Sequence, residues 1–188
     1  MECKVKTYTN SLDCLVGYLS EPVRLALSKY SNLIVAQTYR NPLYQAYLYW
    51  SSRSEEMHLK YAELLGLNSI FNKGKHLTYT LRSLHTVFCA VDLYFVDDNK
   101  KIINDVALYQ ELYNFLLNNS KLGIAWGGYF KNRDYGHFEL AITDNLKEQL
   151  FTMAYSNPEY VEKHIKEYLN KQKAKKNINI SNKKSLGG

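Results

Sequence analysis

Two short segments of the sequence carry side chains that could form a metal site. The first, residues 83–94, contains His85 and Asp92, seven positions apart. The second, residues 134–142, begins with an aspartate and has His137 three positions later. Two histidines and one aspartate, with water in the fourth position, form a catalytic zinc site, and a spare carboxylate can act as the base. Hydrolysis at a metal centre is therefore one chemistry that these residues could support.

Both segments show the alternating polarity of half-buried β-strands. One face of the first segment carries four apolar side chains: Cys89, Val91, Leu93 and Phe95. Asp92 lies on the other face, between Ala90 and Tyr94. Because an unpaired carboxylate is costly to bury, Asp92 needs a partner, which could be a metal ion or a basic side chain.

Three motifs occur in an order that resembles the M15 family of zinc peptidases. They are Y-R-N-P-x-x-Q at 39–45, S-x-H-x6-D at 83–92, and W-G-G at 126–128 followed by D-x-x-H-F-E-L at 134–140. This family includes D-alanyl-D-alanine carboxypeptidases and phage L-alanyl-D-glutamate endolysins, which cut peptidoglycan peptides. The resemblance extends from about Leu33 to Ile142. Each motif alone is weak, but the three together are specific.

The resemblance implies a role for each matching residue. His85, Asp92 and His137 would be the ligands of a zinc ion, with water as the fourth. Asp134 would be the general base that takes a proton from that water and delivers it to the leaving amine. Arg40 would stabilise the oxyanion of the tetrahedral intermediate. Without the motif context, each histidine could be structural, the aspartate a turn residue, and the arginine a surface cation.

Three further positions match the motifs less sharply. Gln45, Ser83 and Trp126 are predicted to bind substrate, although packing or support of the ligands is an equal alternative. The sequence also departs from the family at Phe88, where relatives have a glycine. A glycine at this position suggests a tight backbone conformation or a close approach of another group to the backbone.

The remaining histidines and Cys89 match no position of the family. We expect His58 and His76 at the surface and His164 on a C-terminal helix. Cys89 is expected to be a small core residue, since it lies on the strand face opposite Asp92.

The pattern of elements predicts an α+β fold, with a small antiparallel sheet and flanking helices as in the M15 peptidases, plus a C-terminal helical extension. Five strands are predicted: Leu33–Ala36, Leu77–Thr80, Ala90–Phe95, Gly123–Trp126 and the motif strand at 137–142. Predicted helices begin near Ser20–Pro22, Pro42, Glu55, Asp105, Asn145 and Pro158. The first 30 residues form a helical lead-in, and 72–75 and 97–100 are turns.

The predicted domain organisation is a peptidase domain at 1–142, a helical extension at 143–170 and a lysine-rich tail at 171–188 that we expect to be disordered. The helix of the extension has an apolar stripe of Tyr160, Val161, His164, Ile165, Tyr168 and Leu169. Packing onto the domain is favoured for this stripe, and a surface for a partner or the cell wall is the alternative.

Composition limits the possible partners and compartments. The net charge is +6, which favours polyanions. Much of the excess lies at 163–184, and we expect no nucleic-acid partner. Three cysteines without C-x-x-C indicate no disulfide framework and a reducing compartment of synthesis. The chain start has no apolar signal region, and no run of 18 apolar residues predicts a membrane span. We expect a monomer made in a host cytoplasm that acts at the bacterial cell wall, as a phage lysin does.

The resemblance therefore predicts a zinc-dependent hydrolase of peptidoglycan stem peptides. An L-alanyl-D-glutamate endopeptidase of the endolysin type is favoured. A D-alanyl-D-alanine carboxypeptidase is the alternative within the family. A catalytically silent wall-binding or virion structural module that retains the fold is the alternative from another class.

Overall fold

The computed structural model describes residues 3–71, 76–153 and 157–185, with side chains described as far as residue 174. The fold is α+β, as the sequence predicts: a four-stranded antiparallel sheet is flanked by helices. The strands are β1 (Leu33–Gln37), β2 (Ala90–Phe95), β3 (Ile124–Trp126) and β4 (His137–Leu140). The helices are α1 (Gly17–Lys29), α2 (Pro42–Trp50), α3 (Glu55–Leu65), α4 (Val106–Asn119), α5 (Asp144–Thr152) and α6 (Pro158–Ser185).

The sheet order β1-β2-β4-β3 brings the two motif strands side by side. In the antiparallel register of β2 and β4, Asp92 lies directly opposite His137. On the other side of β2, a bulge in β1 places Gln37 opposite Asp92. Residues 45 positions apart in sequence therefore meet on one face of the sheet.

Most helices begin where the sequence offers a capping side chain. Asn41, Ser54, Asp105 and Thr143 each accept a hydrogen bond from a backbone N–H of the first turn of the helix that follows, which satisfies donors that the helix itself leaves free. Gly66 ends α3 with a φ of 67°, a conformation that glycine adopts without strain. These local signals explain why the predicted positions of α2, α3 and α4 agree with the structure to within one residue.

One hydrophobic core joins α1, the sheet, α4 and α6. Leu19 of α1, Leu93 of β2 and Leu112 of α4 are fully buried in it, and so are Val161 and Ile165 of α6. Most of the predicted apolar stripe of the C-terminal helix is thus packed against the rest of the chain, whereas Tyr160 at its start is exposed. In the described part of the chain, no helix is long and apolar enough to cross a membrane.

Helix α1 begins at Gly17, five residues before Pro22, so the predicted start at Ser20–Pro22 is wrong. The carboxylate of Glu162 in α6 accepts a hydrogen bond from the Gly17 N–H at 2.7 Å. Pro22 cannot donate to the carbonyl of Tyr18, and the hydroxyl of Ser120 donates to that carbonyl instead, at 3.4 Å. Tertiary contacts therefore permit a helix that the local sequence does not signal.

Other predicted elements also differ from the structure. Residues 77–80, predicted as a strand, form no strand; they line a cleft, and Thr78 and Thr80 bond to Gln45. The predicted helix at 145–155 ends at Thr152. Helix α6 continues to Ser185 through the tail for which composition predicts disorder. The predicted turn at 72–75 and residues 186–188 lie outside the described residues.

The prediction of no disulfide is wrong, because Cys3 and Cys14 are joined. Counting cysteines does not reveal which two meet in space. The disulfide closes a segment whose backbone is hydrogen-bonded to residues 38–41: the Thr9 carbonyl accepts from Thr38, and the Thr7 carbonyl accepts from Asn41. Cys89 is free and fully buried, as predicted.

We expect the pair Cys3→Ser and Cys14→Ser to lower the free energy of unfolding by about 2–3 kcal/mol, because opening an 11-residue loop raises the entropy of the unfolded chain. Denaturant unfolding of the double variant and of the parent measures the difference. The control is the parent protein treated with a non-chelating phosphine reductant, which opens the disulfide without changing the sequence. Cys89→Ser is unsuitable as a control, because it buries a new hydroxyl. Equal stability of the reduced and oxidised parent would contradict the expectation.

The contact between α6 and α1 predicts a pH-dependent contribution to stability. Burial by itself raises the pKa of Glu162, but hydrogen bonds from Lys166 and the Gly17 N–H outweigh it, so the pKa lies below its ordinary value of 4.5. Stability from a depressed carboxyl pKa is present above the unfolded-state pKa and is lost as pH falls through the folded-state pKa. Glu162→Gln should cost about 1–2 kcal/mol at pH 7 and progressively less below about pH 4.5.

The control for this measurement is Glu167→Gln, which removes an exposed carboxylate of the same helix. Urea unfolding at pH 7 and at pH 3 gives the comparison. A deficit of the Glu162→Gln protein that is the same at both pH values would show that the charge of Glu162 does not stabilise the fold.

Candidate metal centre

Three donor atoms from two strands and a short helix converge at one point. Nε2 of His85, Oδ1 of Asp92 and Nδ1 of His137 form a triangle whose edges are 3.0, 3.1 and 3.3 Å. Ligands of a tetrahedral zinc ion, bound at about 2.0–2.1 Å, are separated by about 3.3 Å. This group can hold a metal ion, and the nitrogen and oxygen donors suit zinc.

The other nitrogen of each imidazole has a fixed partner. Nδ1 of His85 donates to the carbonyl of Thr38 at 2.7 Å, and Nε2 of His137 donates to the carboxylate of Glu139 at 3.1 Å. Glu139 is itself paired with Lys147 at 3.3 Å. Such partners set the tautomer so that the nitrogens facing Asp92 can offer lone pairs to a cation.

The charges of the cluster are strongly coupled. Burial by itself raises the pKa of Asp92, but the two histidines outweigh it, so the pKa lies well below its usual range. Burial by itself lowers the pKa of His137, but the hydrogen bonds and charges of Asp92 and Glu139 raise it to about 9. The carboxylates of Asp92 and Glu139 therefore favour a positive charge at His137, and a metal ion bound by the cluster would also be attracted by them.

Arg40 lies beside the triangle, and two glutamine side chains fix the position of its guanidinium. Its guanidinium donates to the amide oxygens of Gln37 and Gln45 and lies 3.8 Å from Asp92 Oδ2. Burial lowers the pKa of Arg40 from its ordinary value, while the charge of Asp92 acts in the opposite direction. The backbone N–H of Arg40 donates to the His85 carbonyl at 3.2 Å, which links the arginine directly to the ligand segment.

Asp134 lies on a loop that packs closely against Gly127, the first glycine of W-G-G. The Gly127 carbonyl accepts from the Asp134 N–H at 3.0 Å, and a Cβ at Gly127 would collide with the Asp134 carbonyl. The carboxyl group of Asp134 lines the same cleft as the triangle. Partial desolvation there, followed by the negative charge of Asp92, raises the pKa of Asp134.

The three predicted substrate-binding residues occupy supporting positions. Gln45 is fully buried, and its amide group joins Arg40 to Thr80. Ser83 caps the short 3-10 helix Leu84–Val87 that carries His85, and it also lines the cleft. Trp126 is buried and does not line the cleft, because its indole N–H donates to the Tyr135 carbonyl at 2.8 Å. Gln45 and Trp126 therefore fix the positions of site residues in this structure.

Phe88 has a left-handed backbone, with a φ of 63°, which is why a glycine suits this position. The conformation costs a phenylalanine about 1–3 kcal/mol. Its ring is fully buried and stacked on Tyr39, with 4.5 Å between the ring centroids. Burial of such a ring contributes about 1.5–3 kcal/mol, which offsets the backbone strain.

The other three histidines lie away from the triangle. His76 is exposed, as expected. The prediction that His58 lies at the surface is wrong: it is buried between α2 and α3, where it hydrogen-bonds Ser69 at 2.7 Å and stacks on Tyr47. His164 is half-buried on α6 and hydrogen-bonds Gln149.

The triangle opens into a cleft of about 690 Å³. One wall is formed by residues 77–84 and another by the loop 130–134, while Lys147 and Phe151 of α5 line a third side. A segment of extended peptide fits a cleft of this size.

Sequence reasoning missed Thr38, Glu139 and Lys147 as parts of the site. Glu139 was detectable, since it lies two residues after His137 and so on the same face of the strand. Thr38 acts through its backbone carbonyl, which no side-chain pattern reveals. Lys147 reaches Glu139 from helix α5, and only the tertiary structure shows that contact.

Comparisons with known proteins find similarity only among solved structures. No family model matches the chain, and no curated protein matches it. Among solved structures, the chain is similar to the crystal structure of the Serratia marcescens L-Ala D-Glu endopeptidase ChiX, with a TM-score of 0.46 and 19% identity, covering 69% of this chain and 83% of that chain. At this level of similarity the likeness assigns no residue role, and membership of the M15 family stays a prediction.

We expect Glu139→Gln to weaken metal affinity about 10- to 100-fold, because the carboxylate orients His137 and raises its basicity. The matched control is Glu148→Gln, which removes an exposed carboxylate paired with Arg82 at the rim of the cleft. Competition with a chromogenic chelator measures both affinities. Equal affinities of the two variants would show that Glu139 does not support the metal.

Proposed function

We propose that this protein is a metal-dependent peptidase that hydrolyses a peptide bond in peptidoglycan stem peptides. The observation that carries the proposal is the triangle of His85, Asp92 and His137 donors at a peptide-sized cleft, with Arg40 and Asp134 beside it. The motif resemblance supports the finer assignment, which is a zinc-dependent L-alanyl-D-glutamate endopeptidase of the endolysin type. A D-alanyl-D-alanine carboxypeptidase is the alternative on the same chemistry.

His85, Asp92 and His137 would hold the ion, and a bound Zn²⁺ would supply Lewis-acid activation of water and of the scissile carbonyl. The protein groups then handle charge and protons. Asp134 accepts a proton from the attacking water and passes it to the leaving amine. The raised pKa of Asp134 makes its carboxylate a better acceptor of the proton from water, and the protonated carboxyl can then donate that proton to the leaving amine. Arg40, fixed by two glutamines, offers N–H donors to the oxygen on which negative charge develops.

The test is digestion of purified sacculi by the metal-loaded protein, with and without a chelator, followed by mass spectrometry of the soluble products. We expect release of new peptide termini that the chelator abolishes. A new N-terminal D-glutamate would identify the endopeptidase, and loss of a terminal D-alanine the carboxypeptidase. His85→Ala should lose both metal and product, whereas the exposed His76→Ala should keep both.

Asp134→Asn separates chemistry from metal binding. It should retain the metal and lower the turnover rate by about 10²- to 10⁴-fold, whereas Asp98→Asn, in an exposed turn, should leave turnover unchanged. Metal-loaded protein that sediments with sacculi and releases nothing would overturn the peptidase proposal in favour of a wall-binding module.

A further inference from the structure

Four cationic side chains line the described part of the cleft, and three of them are already paired. Arg40 contacts Asp92 and two glutamines. Lys147 is paired with Glu139. Arg82 binds both carboxylate oxygens of Glu148 at 2.6 Å. Each of these three cations already has a partner in the protein, and Arg40 is also assigned to the reacting oxygen, so none of them is left over to bind a carboxylate of a substrate.

The fourth cation, Arg133, has no carboxylate within ion-pair distance among the described residues. Its side chain is exposed, and its guanidinium makes one long hydrogen bond, 3.4 Å, to the hydroxyl of Tyr135. That contact leaves most of its five N–H donors free for a ligand. Arg133 lines the cleft one position before Asp134, so it stands next to the group assigned to proton transfer.

The backbone around Arg133 is fixed on its C-terminal side. The Asp134 N–H donates to the Gly127 carbonyl, and the Tyr135 carbonyl accepts from the Trp126 indole. A Cβ at Gly136 would collide with the ring of Tyr94, which shows how closely this loop lies on β2. A cation on an anchored loop loses less entropy on binding than one on a free loop.

We propose that Arg133 is a specificity-determining residue that binds a carboxylate of the substrate close to the scissile bond. The inference rests on the proposed function and deepens it, because it selects acidic peptides as the substrate class. An arginine presents a planar fork that can donate two parallel hydrogen bonds to one carboxylate, which a lysine cannot do. Arg40, Arg82 and Lys147 are paired with carboxylates of the protein, whereas Arg133 is available to pair with a carboxylate of the substrate.

The probe is an L-alanyl-γ-D-glutamyl-L-lysine peptide in three forms: both carboxylates free, only the glutamyl α-carboxylate converted to the amide, and only the C-terminal carboxylate converted to the amide. Affinity for the metal-loaded Asp134→Asn protein is measured by calorimetry, and turnover by the parent is measured separately. Both measurements are repeated with Arg133→Ala and Arg133→Lys. Lys131→Ala is the matched control, since Lys131 is an exposed cation of the same loop that does not line the cleft.

We expect Arg133→Ala to weaken binding of the fully acidic peptide about five- to tenfold and to raise KM more than it lowers kcat. Arg133→Lys should restore part of the loss, and Lys131→Ala should cause none. The effect of Arg133→Ala should vanish for the peptide in which the recognised carboxylate is amidated, which identifies that carboxylate. Added salt should reduce the effect.

Two results would overturn the inference. One is an equal effect of Arg133→Ala on all three peptides, and the other is an effect of Lys131→Ala as large as that of Arg133→Ala. Failure of the proposed function is a separate outcome: the parent would then hydrolyse none of the peptides, while the binding comparison would still decide the role of Arg133.

Discussion

A half-buried carboxylate between two imidazoles is the interaction on which this structure depends. Asp92 lies in the centre of the sheet, where an uncompensated negative charge would be strongly destabilising. Its partners are fixed by strand pairing on one side and by the short helix of His85 on the other. Arg40 faces the outer oxygen of Asp92, and either a proton on His137 or a metal ion can supply positive charge at its inner oxygen. A cation bound at this cluster would therefore compensate the charge of Asp92 as well as supply the proposed chemistry.

The groups around this cluster are arranged so that each charge has a counterpart. Lys147 balances Glu139, and Arg40 balances the outer oxygen of Asp92. Arg40 cannot move freely, because two glutamine side chains occupy its donors. Preorganisation of this kind lowers the reorganisation cost when charge develops during a reaction. It also explains why Gln45 is buried in the supporting position that was the alternative to substrate contact.

Arg40 and Asp134, the groups beside the triangle, lie on two irregular segments. Each segment is in contact with other parts of the chain on two sides. Residues 38–41 lie between the 3-10 helix of His85 and the N-terminal segment closed by the disulfide. Residues 127–136 lie between the indole of Trp126 and the ring of Tyr94. Loops can hold functional groups accurately only when their backbone polar groups are bonded in this way. The left-handed backbone of Phe88 also helps to place the site, because it lets the chain turn from the 3-10 helix that carries His85 into β2.

Much of this protein was determined by local sequence. The resemblance of the three motifs predicted that His85, Asp92 and His137 belong together. Alternating polarity predicted β2 and β4, Pro42 predicted the start of α2, and the 3.6-residue spacing of apolar side chains predicted α4. These features depend on contacts within a few residues or on a period of two, which a linear pattern records directly.

Only the tertiary structure decided the rest, because it depends on pairs that are distant in sequence. Helix α1 begins early because Glu162 accepts its first N–H, and Cys3 meets Cys14 because the intervening segment pairs with residues 38–41. His58 is buried because two helices close over it. The tautomer of His85 is set by the backbone carbonyl of Thr38, and that of His137 by the carboxylate of Glu139. No period or composition encodes such contacts, since their free energy comes from groups that meet only after the chain has folded.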